Sequence, residues 1–135
     1  NLVENTREDV RDIVDVAGIE DPERIDVVVT PEWKYDALGI AIESDADNLI
    51  SELMQNGDIR EQGDAAASYG QDLQQEREAL TMTLDPDAEY EALEAAAWLV
   101  EREFEAPVDV VRAEAADDSV ANKAEPGRPA INIVE

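Results

Sequence analysis

The sequence predicts an α/β fold: a small three-stranded sheet, mostly parallel or mixed, packed with about five helices. Short β-branched runs at residues 24–30, 107–112 and 130–134 are separated by longer segments with helical periodicity. Alanine supplies many of the apolar residues and aromatic residues make up only 4% of the chain, which favours a helix-rich, thinly filled core. Several helices between the first two strands form a crossover, and crossovers favour parallel pairing. A length of 135 residues predicts a single domain over residues 1–135.

The first third of the chain predicts a helix, a strand and a second helix. Residues 2–17 place their apolar side chains near one helical face, and Gly18 is suited to end that helix. Apolar and polar side chains then alternate through the strand at residues 24–30. The next helix begins at Pro31, because proline is tolerated in a first turn and the preceding Thr30 can act as a cap.

Three further helices are predicted before the last two strands. Residues 47–55 form the first, and the polar, alanine- and glutamine-rich residues 58–80 form the second, which we expect to be the most exposed part. The third covers residues 87–105 after a cap at Asp85. Its apolar stripe consists of Tyr90, Leu93, Ala97, Val100 and Phe104.

The charge balance is extreme, with 35 acidic against 10 basic residues and a net charge of -25. Low hydrophobicity with such a charge usually indicates disorder, but the apolar residues here are periodic. The acids are spread along the whole chain, which favours a folded domain from a high-salt cytoplasm, where the Debye length is about 3 Å at 1 M salt. The alternative is an acidic interaction module from an ordinary cell.

Composition excludes several kinds of site. The chain has no cysteine and no histidine, which removes disulfides, thiol chemistry, structural zinc and histidine acid–base catalysis. Carboxylate pairs are expected by chance among 35 acids, and none lies in an apolar run that would raise its pKa. The sequence at residues 63–70 carries no lysine and follows no strand, so it is not a phosphate loop. We therefore predict no catalytic residue and no metal ligand, and a small hydrolase with a carboxylate dyad is disfavoured.

Two further exclusions concern location. The longest apolar runs are far shorter than the roughly 20 residues that a bilayer requires, so no membrane partner is expected. The sequence begins at Asn1 without an initiator methionine, and a fragment of a longer chain is the simplest explanation.

Residues 119–134 are the most informative segment. They hold Lys123 and Arg128 against one acid, Glu125, and so carry +1 inside a strongly acidic chain. With the nearby Arg112, these bases are suited to gripping phosphates or stacking on exposed bases. Alternatively they pair on the surface with Asp109, Glu114, Asp117, Asp118 or Glu125. The terminal Glu135 offers two carboxylates to amino or imino groups of bases, although a C-terminal acid is more often simply solvated.

Aromatic residues give two weaker signals. Trp33, Lys34 and Tyr35 have the spacing of a stacking surface for bases, but at a helix start we favour Trp33 as a core residue. Trp98 lies one step off the apolar stripe of residues 87–105, where it could cover a sheet edge or mark an interface. Sheet-edge cover is the favoured interpretation.

Three segments in order resemble one protein family: residues 27–38 (VVVTPEWKYDAL), 54–63 (MQNGDIREQG) and 122–135 (NKAEPGRPAINIVE). The chain resembles the C-terminal domain of archaeal- and eukaryal-type leucyl-tRNA synthetases over essentially its whole length. With the acidic composition, the resemblance implies a halophilic archaeal source and a cytoplasmic location.

The resemblance implies a role in RNA recognition. Full-length enzymes of this family are class I synthetases that join leucine to its tRNA with ATP and Mg²⁺ in a separate domain, and none of the class I motifs occurs here. The C-terminal domain binds no cofactor and contacts the body and long variable arm of leucine tRNA, with the rest of the synthetase chain as its other partner and no role for DNA. Carried over, this places Val134 and Glu135 at the RNA, with Lys123 and Arg128 in the loop that leads there. The alternative is an acidic protein–protein interaction module whose helix at residues 87–105 docks a partner.

Overall fold

The computed structural model describes residues 2–45, 47–82 and 85–135. These residues form seven α-helices, two 3₁₀ turns and one three-stranded mixed sheet, which confirms the predicted α/β class. The strands are β1 (Arg24–Val28), β2 (Val108–Val111) and β3 (Ala130–Val134). The helices are α1 (Leu2–Ala17), α2 (Glu32–Glu43), α3 (Leu49–Leu53), α4 (Gly57–Arg60), α5 (Asp64–Gln75), α6 (Pro86–Phe104) and α7 (Asp118–Ala121).

The chain divides into two compact units. Residues 1–31 and 84–135 form the sheet unit, and residues 32–83 form the helical unit. The helical unit is a continuous stretch of sequence that lies between β1 and α6 along the chain. None of the helices in the described ranges is long and apolar enough to cross a bilayer.

The sheet has the strand order β2-β1-β3. β1 pairs in parallel with β2, with Ile25 opposite Val108, as the crossover predicted. β3 returns antiparallel on the other side of β1, with Arg24 opposite Val134. The sheet is therefore mixed, and β1 is its central strand.

The two faces of the sheet differ in chemistry because successive side chains point to opposite sides of a strand. Ile25 and Val27 of β1 are buried on the face that α1 and α6 cover. On the other face Asp26 lies in register with Asp109 of β2 and Asn132 of β3. The covered face supplies the larger core cluster of the sheet unit, which comprises Val10, Ile25, Val27, Val29, Leu93, Val100 and Ala106. A smaller buried cluster on the other face comprises Val28, Ala121, Ala124 and Ala130.

Ion pairs join α1 to α6. Arg7 Nη2 lies 2.6 Å from Glu103 Oε1, and Arg11 Nη2 donates to the same oxygen at 3.0 Å. The hydrogen bond from Arg11 is the main cause that lowers the pKa of Glu103, and Arg7 adds to it against the opposing effect of desolvation. This carboxylate therefore stays charged to lower pH than a free glutamate, and its contribution to stability is lost as the pH falls through that depressed pKa.

The helical unit has its own core, built from α2 to α5. Its buried members include Trp33, packed edge-on against Tyr69 with ring centroids 5.8 Å apart. This confirms the prediction that Trp33 is a core residue. The other buried members are Ala37, Leu38, Ala41, Leu49, Leu53, Ile59, Ala66 and Leu73.

The predicted single helix over residues 58–80 is wrong. It is divided into α4, α5 and a 3₁₀ turn at Arg77–Ala79, and the break between the two helices is Gly63, whose φ of 57° favours glycine. More than half of its residues are exposed, and α4 and α5 also contribute Ile59, Ala66, Tyr69 and Leu73 to the helical core. The buried face of this segment was hard to recognise from the alanine-rich sequence, because few of its buried side chains are large.

Lys34, one of only two lysines, is buried in the same unit with 4% of its surface exposed. Its Nζ lies 4.9 Å from the centre of the Tyr69 ring and 5.6 Å from that of Trp33. Both rings offer their electron-rich faces to the ammonium group. Lys34 is thus part of the interior of the helical unit, not of a surface for stacking RNA bases.

Candidate nucleic-acid interface

The loop before β3 is ordered by short elements. After β2 comes a 3₁₀ turn at Ala113–Ala115, then α7, then a tight turn over residues 125–128. In that turn Arg128 N donates to Glu125 O at 2.8 Å, and Gly127 has a φ of 83°. Proline followed by glycine at positive φ is the signature of a type II turn. The Pro126-Gly127 pair therefore fixes how the chain enters β3.

A buried carboxylate holds this turn in place. Glu89 of α6 is only 1% exposed, and its Oε1 accepts a hydrogen bond of 2.9 Å from the backbone N–H of Gly127. On the other side, Asn5 Nδ2 of α1 donates to Gly127 O at 3.1 Å. The turn is thus anchored to both helices that cover the sheet. Sequence reasoning missed Glu89, because one acid among 35 gives no signal of burial.

Replacing Glu89 with leucine should destabilise the sheet unit by about 1–3 kcal/mol, since the Gly127 N–H would lose its acceptor in a partly buried site. Glu89→Gln keeps an oxygen acceptor of the same reach and should cost less. Urea unfolding of both variants at constant high KCl would measure the difference. Equal destabilisation by the two substitutions would contradict a role for the hydrogen bond.

Two of the three predicted basic residues have acidic partners on helices. Arg128 Nη1 lies 2.5 Å from Asp9 Oδ1 of α1. Arg112 Nη1 lies 2.6 Å from Asp87 Oδ1 of α6, and this hydrogen bond is the main cause that raises the pKa of Arg112. The surface-pairing alternative is therefore right in kind for both arginines. Their partners are helical acids distant in sequence, not the neighbouring loop acids that the sequence suggested.

Arg112 makes a second contact that the sequence did not suggest. Its guanidinium carbon lies 4.4 Å from the centre of the Tyr90 ring. Tyr90 belongs to the predicted apolar stripe of α6, and it is half-buried there. A guanidinium stacked on an aromatic ring is held flat, and such planes can stack on an exposed base.

Lys123 differs from the two arginines. It is exposed, and within the described part of the chain its ammonium group has no ion pair or hydrogen bond. Its backbone N–H closes the turn after α7 by donating to Val120 O at 3.0 Å. Of the three predicted bases, Lys123 is therefore the one whose charge is available to a ligand.

Four of the five predicted contact residues lie beside strand ends, at two ends of the sheet. Arg112 follows β2 and Arg128 precedes β3, and both strand ends lie at the carboxyl end of β1. Val134 is opposite Arg24, at the amino end of β1, with the exposed Glu135 after it. Four steps along a strand separate these ends, or roughly 13 Å. The structure thus places the basic loop and the C-terminal pair apart, along one edge strand.

Two other sequence signals can now be placed. Trp98 is 57% exposed on α6, which favours an interaction surface over sheet-edge cover. Across residues 2–45, 47–82 and 85–135, no group of three or more acidic side chains is arranged to hold a metal ion.

Comparison with known proteins identifies relatives, one of them over the whole chain, although no family model matches it. A leucine–tRNA ligase of Halobacterium salinarum is 53% identical over 135 residues, which is 100% of this chain and 15% of that protein. The chain is homologous to a segment of the leucine–tRNA ligases. A second such ligase, from Methanopyrus kandleri, is 38% identical over 64% of this chain and 9% of its own length. A third, from Pyrococcus abyssi, is 31% identical over 57% of this chain and 8% of its own length.

These ligases are much longer than the matched segment. The chain spans 15% of the Halobacterium salinarum ligase. The homology confirms the resemblance drawn from residues 27–38, 54–63 and 122–135.

Proposed function

We propose that this chain is the tRNA-contacting segment of a leucine–tRNA ligase from a halophile, a class I synthetase of the cytoplasm. The observation that carries the proposal is the 53% identity over the full chain to a ligase of Halobacterium salinarum. The whole enzyme would join leucine to tRNA with ATP and Mg²⁺ in another domain. This segment would hold the tRNA body and long variable arm, so that the acceptor end reaches that domain.

The geometry supports two contacts of different chemistry. At the carboxyl end of β1, the exposed Lys123 supplies an unpaired positive charge for a phosphate, close in sequence to the turn that Glu89 anchors. At the other end, Glu135 follows β3 as an exposed acceptor for base amino groups. In concentrated salt, counterion release contributes little to RNA binding, so a few well-placed hydrogen bonds would have to carry it.

The proposal is tested in the full-length enzyme with Lys123→Gln and with Glu135 deleted. Val134 is kept, because its carbonyl accepts the Glu23 N–H at 2.7 Å and the residue belongs to β3. Each change should lower kcat/KM for leucine tRNA about tenfold, equivalent to about 1.4 kcal/mol. ATP–pyrophosphate exchange with leucine should stay within about twofold, since activation needs no tRNA.

Arg102→Gln is the matched control, because Arg102 is an exposed cation on α6 outside the proposed contacts. It should leave tRNA charging unchanged. A leucine tRNA with a shortened variable arm should bind the native enzyme more weakly. Its binding should not be weakened further by Lys123→Gln or by the Glu135 deletion. Charging that is unchanged in both Lys123→Gln and the Glu135 deletion would overturn the proposal.

One observation favours a second candidate, a protein–protein interaction module. Trp98 exposes more than half of its surface on α6, the helix that the sequence suggested as a docking element. Under this alternative, Trp98→Ala would abolish binding of a protein partner, and leucine tRNA would show no preference over other tRNAs.

A further inference from the structure

A groove of about 430 Å³ lies on the face of the sheet that α1 and α6 leave uncovered. Its volume lies in the range of about 300–1,000 Å³ that is typical of small-molecule pockets. The groove runs from the strands to the segment before and within α7. Its lining is mixed: apolar side chains from Val28, Val111, Ala115, Ala116 and Val120, and polar ones from Arg24, Asp26, Asp109, Asp117 and Asn132.

Some of the polar groups are already bound to each other. Arg24 donates to both oxygens of Asp26, at 2.8 and 3.2 Å. Asn132 Nδ2 adds a hydrogen bond of 3.3 Å to Asp26 Oδ2. Asp26 is therefore satisfied within the sheet, and it fixes the position of the Arg24 guanidinium in the groove lining.

Two carboxylates in the groove remain available. The Asp109 side chain is 61% exposed, and its closest cationic atom is Arg24 Nε at 3.7 Å, beyond a normal hydrogen bond. Asp117 occupies the N-cap position of α7, yet its side chain makes no capping hydrogen bond and lines the groove instead. An N-cap aspartate ordinarily accepts from the first N–H groups of its helix. The groove thus presents one cation against three carboxylates, two of which can accept further hydrogen bonds.

We propose that this groove binds an arginine side chain of a protein segment. A guanidinium donates parallel hydrogen bonds that fit carboxylate geometry, which suits Asp109 or Asp117. The aliphatic stem of arginine would lie on the valine and alanine floor. The excess negative charge is complementary to this cation and opposes the phosphates that accompany a nucleobase. The proposal concerns a protein partner and is independent of the proposed tRNA contacts.

Close packing would let this contact persist in concentrated salt. Exposed charges are screened beyond about 3 Å at 1 M salt, so distant attraction contributes little. A guanidinium in direct contact with a carboxylate and seated on apolar side chains is screened much less. Proteins that function in high salt would therefore recognise the groove by contact and shape.

The experiment is an NMR titration of the 135-residue chain in about 2 M KCl with N-acetyl-arginine amide. Backbone amide shifts should change and saturate in the millimolar range, with the largest changes at Asp109, Asp117 and Asn132. N-acetyl-citrulline amide, which has the same shape without the charge, should bind at least fivefold more weakly. The D109N/D117N double variant should lose the arginine response, whereas D21N/D64N, which removes two exposed acids elsewhere, should retain it.

Three results would overturn the proposal: equal shifts with citrulline, equal loss in the D21N/D64N control, or tighter saturable binding of guanosine, which would assign the groove to a nucleobase.

Full-length enzyme gives a second measurement that does not need the chain to fold alone. Carbodiimide labelling there should modify Asp109 and Asp117 less than Asp21 and Asp64 when a protein segment occupies the groove. In an enzyme whose groove is open, added N-acetyl-arginine amide should reduce that labelling selectively. Labelling of Asp109 and Asp117 that matches Asp21 and Asp64 with and without N-acetyl-arginine amide would also exclude the proposal.

Discussion

Lowering KCl from about 2 M to about 0.1 M should unfold this chain at neutral pH. Its net charge of -25 over 135 residues makes self-repulsion the largest destabilising term that salt controls. The Debye length grows from less than about 3 Å to about 10 Å over that range, so carboxylates on neighbouring helices begin to repel one another. Far-UV circular dichroism during dialysis should show a cooperative loss of helix. A chain that stays fully helical at about 0.1 M KCl would contradict this prediction.

A single substitution should shift the midpoint of that transition. Partial desolvation and the nearby Asp58 both raise the pKa of Asp36, although its side chain is on the surface. The ionised form of Asp36 is therefore disfavoured by folding, and Asp36→Asn should move the midpoint to lower KCl. The shift should shrink as the pH falls below the ordinary range of aspartate, because the carboxyl group is then neutral in both states. Asp21→Asn, an exposed acid of the sheet unit, should shift the midpoint less.

Truncating Leu53 to alanine should destabilise the helical unit by about 4 kcal/mol. Leu53 is 1% exposed and belongs to the core that contains Trp33 and Tyr69. Leu53 also packs closely against Gly70 of α5. A Cβ atom added at Gly70 would lie only 3.2 Å from Leu53 Cδ1. Helices this close have little freedom to collapse into the cavity, so the cost should be near the upper part of the usual range.

The chain provides its own reporter for this test. Trp33 is buried in the helical unit and Trp98 is exposed in the sheet unit, so a Trp98→Phe background leaves fluorescence from Trp33 alone. Leu53→Ala should bring the red shift of Trp33 to lower urea concentration. Met82→Ala removes another large apolar side chain of the same unit, but Met82 is 69% exposed and the change should have little effect. Equal midpoints for Leu53→Ala and Met82→Ala would refute the assignment of Leu53 to the core.

Periodicity predicted the elements whose apolar pattern is strong. The bounds of α1 and β3 agree with the sequence at both ends, and α6 agrees within one residue at each end. The parallel pairing of β1 with β2 also followed from the crossover. The alanine-rich region of residues 58–80 was mispredicted, because small side chains carry little periodic signal and Gly63 looks the same whether it weakens a helix or ends it.

The candidate site was less accessible from sequence, for a different reason. The bases Arg112 and Arg128 stand out by their rarity, but their partners Asp87 and Asp9 cannot be distinguished among 35 acids. The burial of Glu89 depends on a tertiary contact with Gly127, 38 positions away in the chain. The opposite positions of the basic loop and the C-terminal pair depend on the antiparallel return of β3, which the sequence did not specify.

The placement of the helical unit between β1 and α6 has a consequence for biosynthesis. Residues 32–83 are contiguous, whereas β1 needs β2 and β3, whose residues are translated more than 80 positions later. Contacts so distant in sequence form late and slowly. When the whole helical unit has been translated, β1 of the nascent chain therefore still lacks both of its partner strands. In this protein the order of translation favours folding of the inserted helices first, with closure of the sheet as the last step.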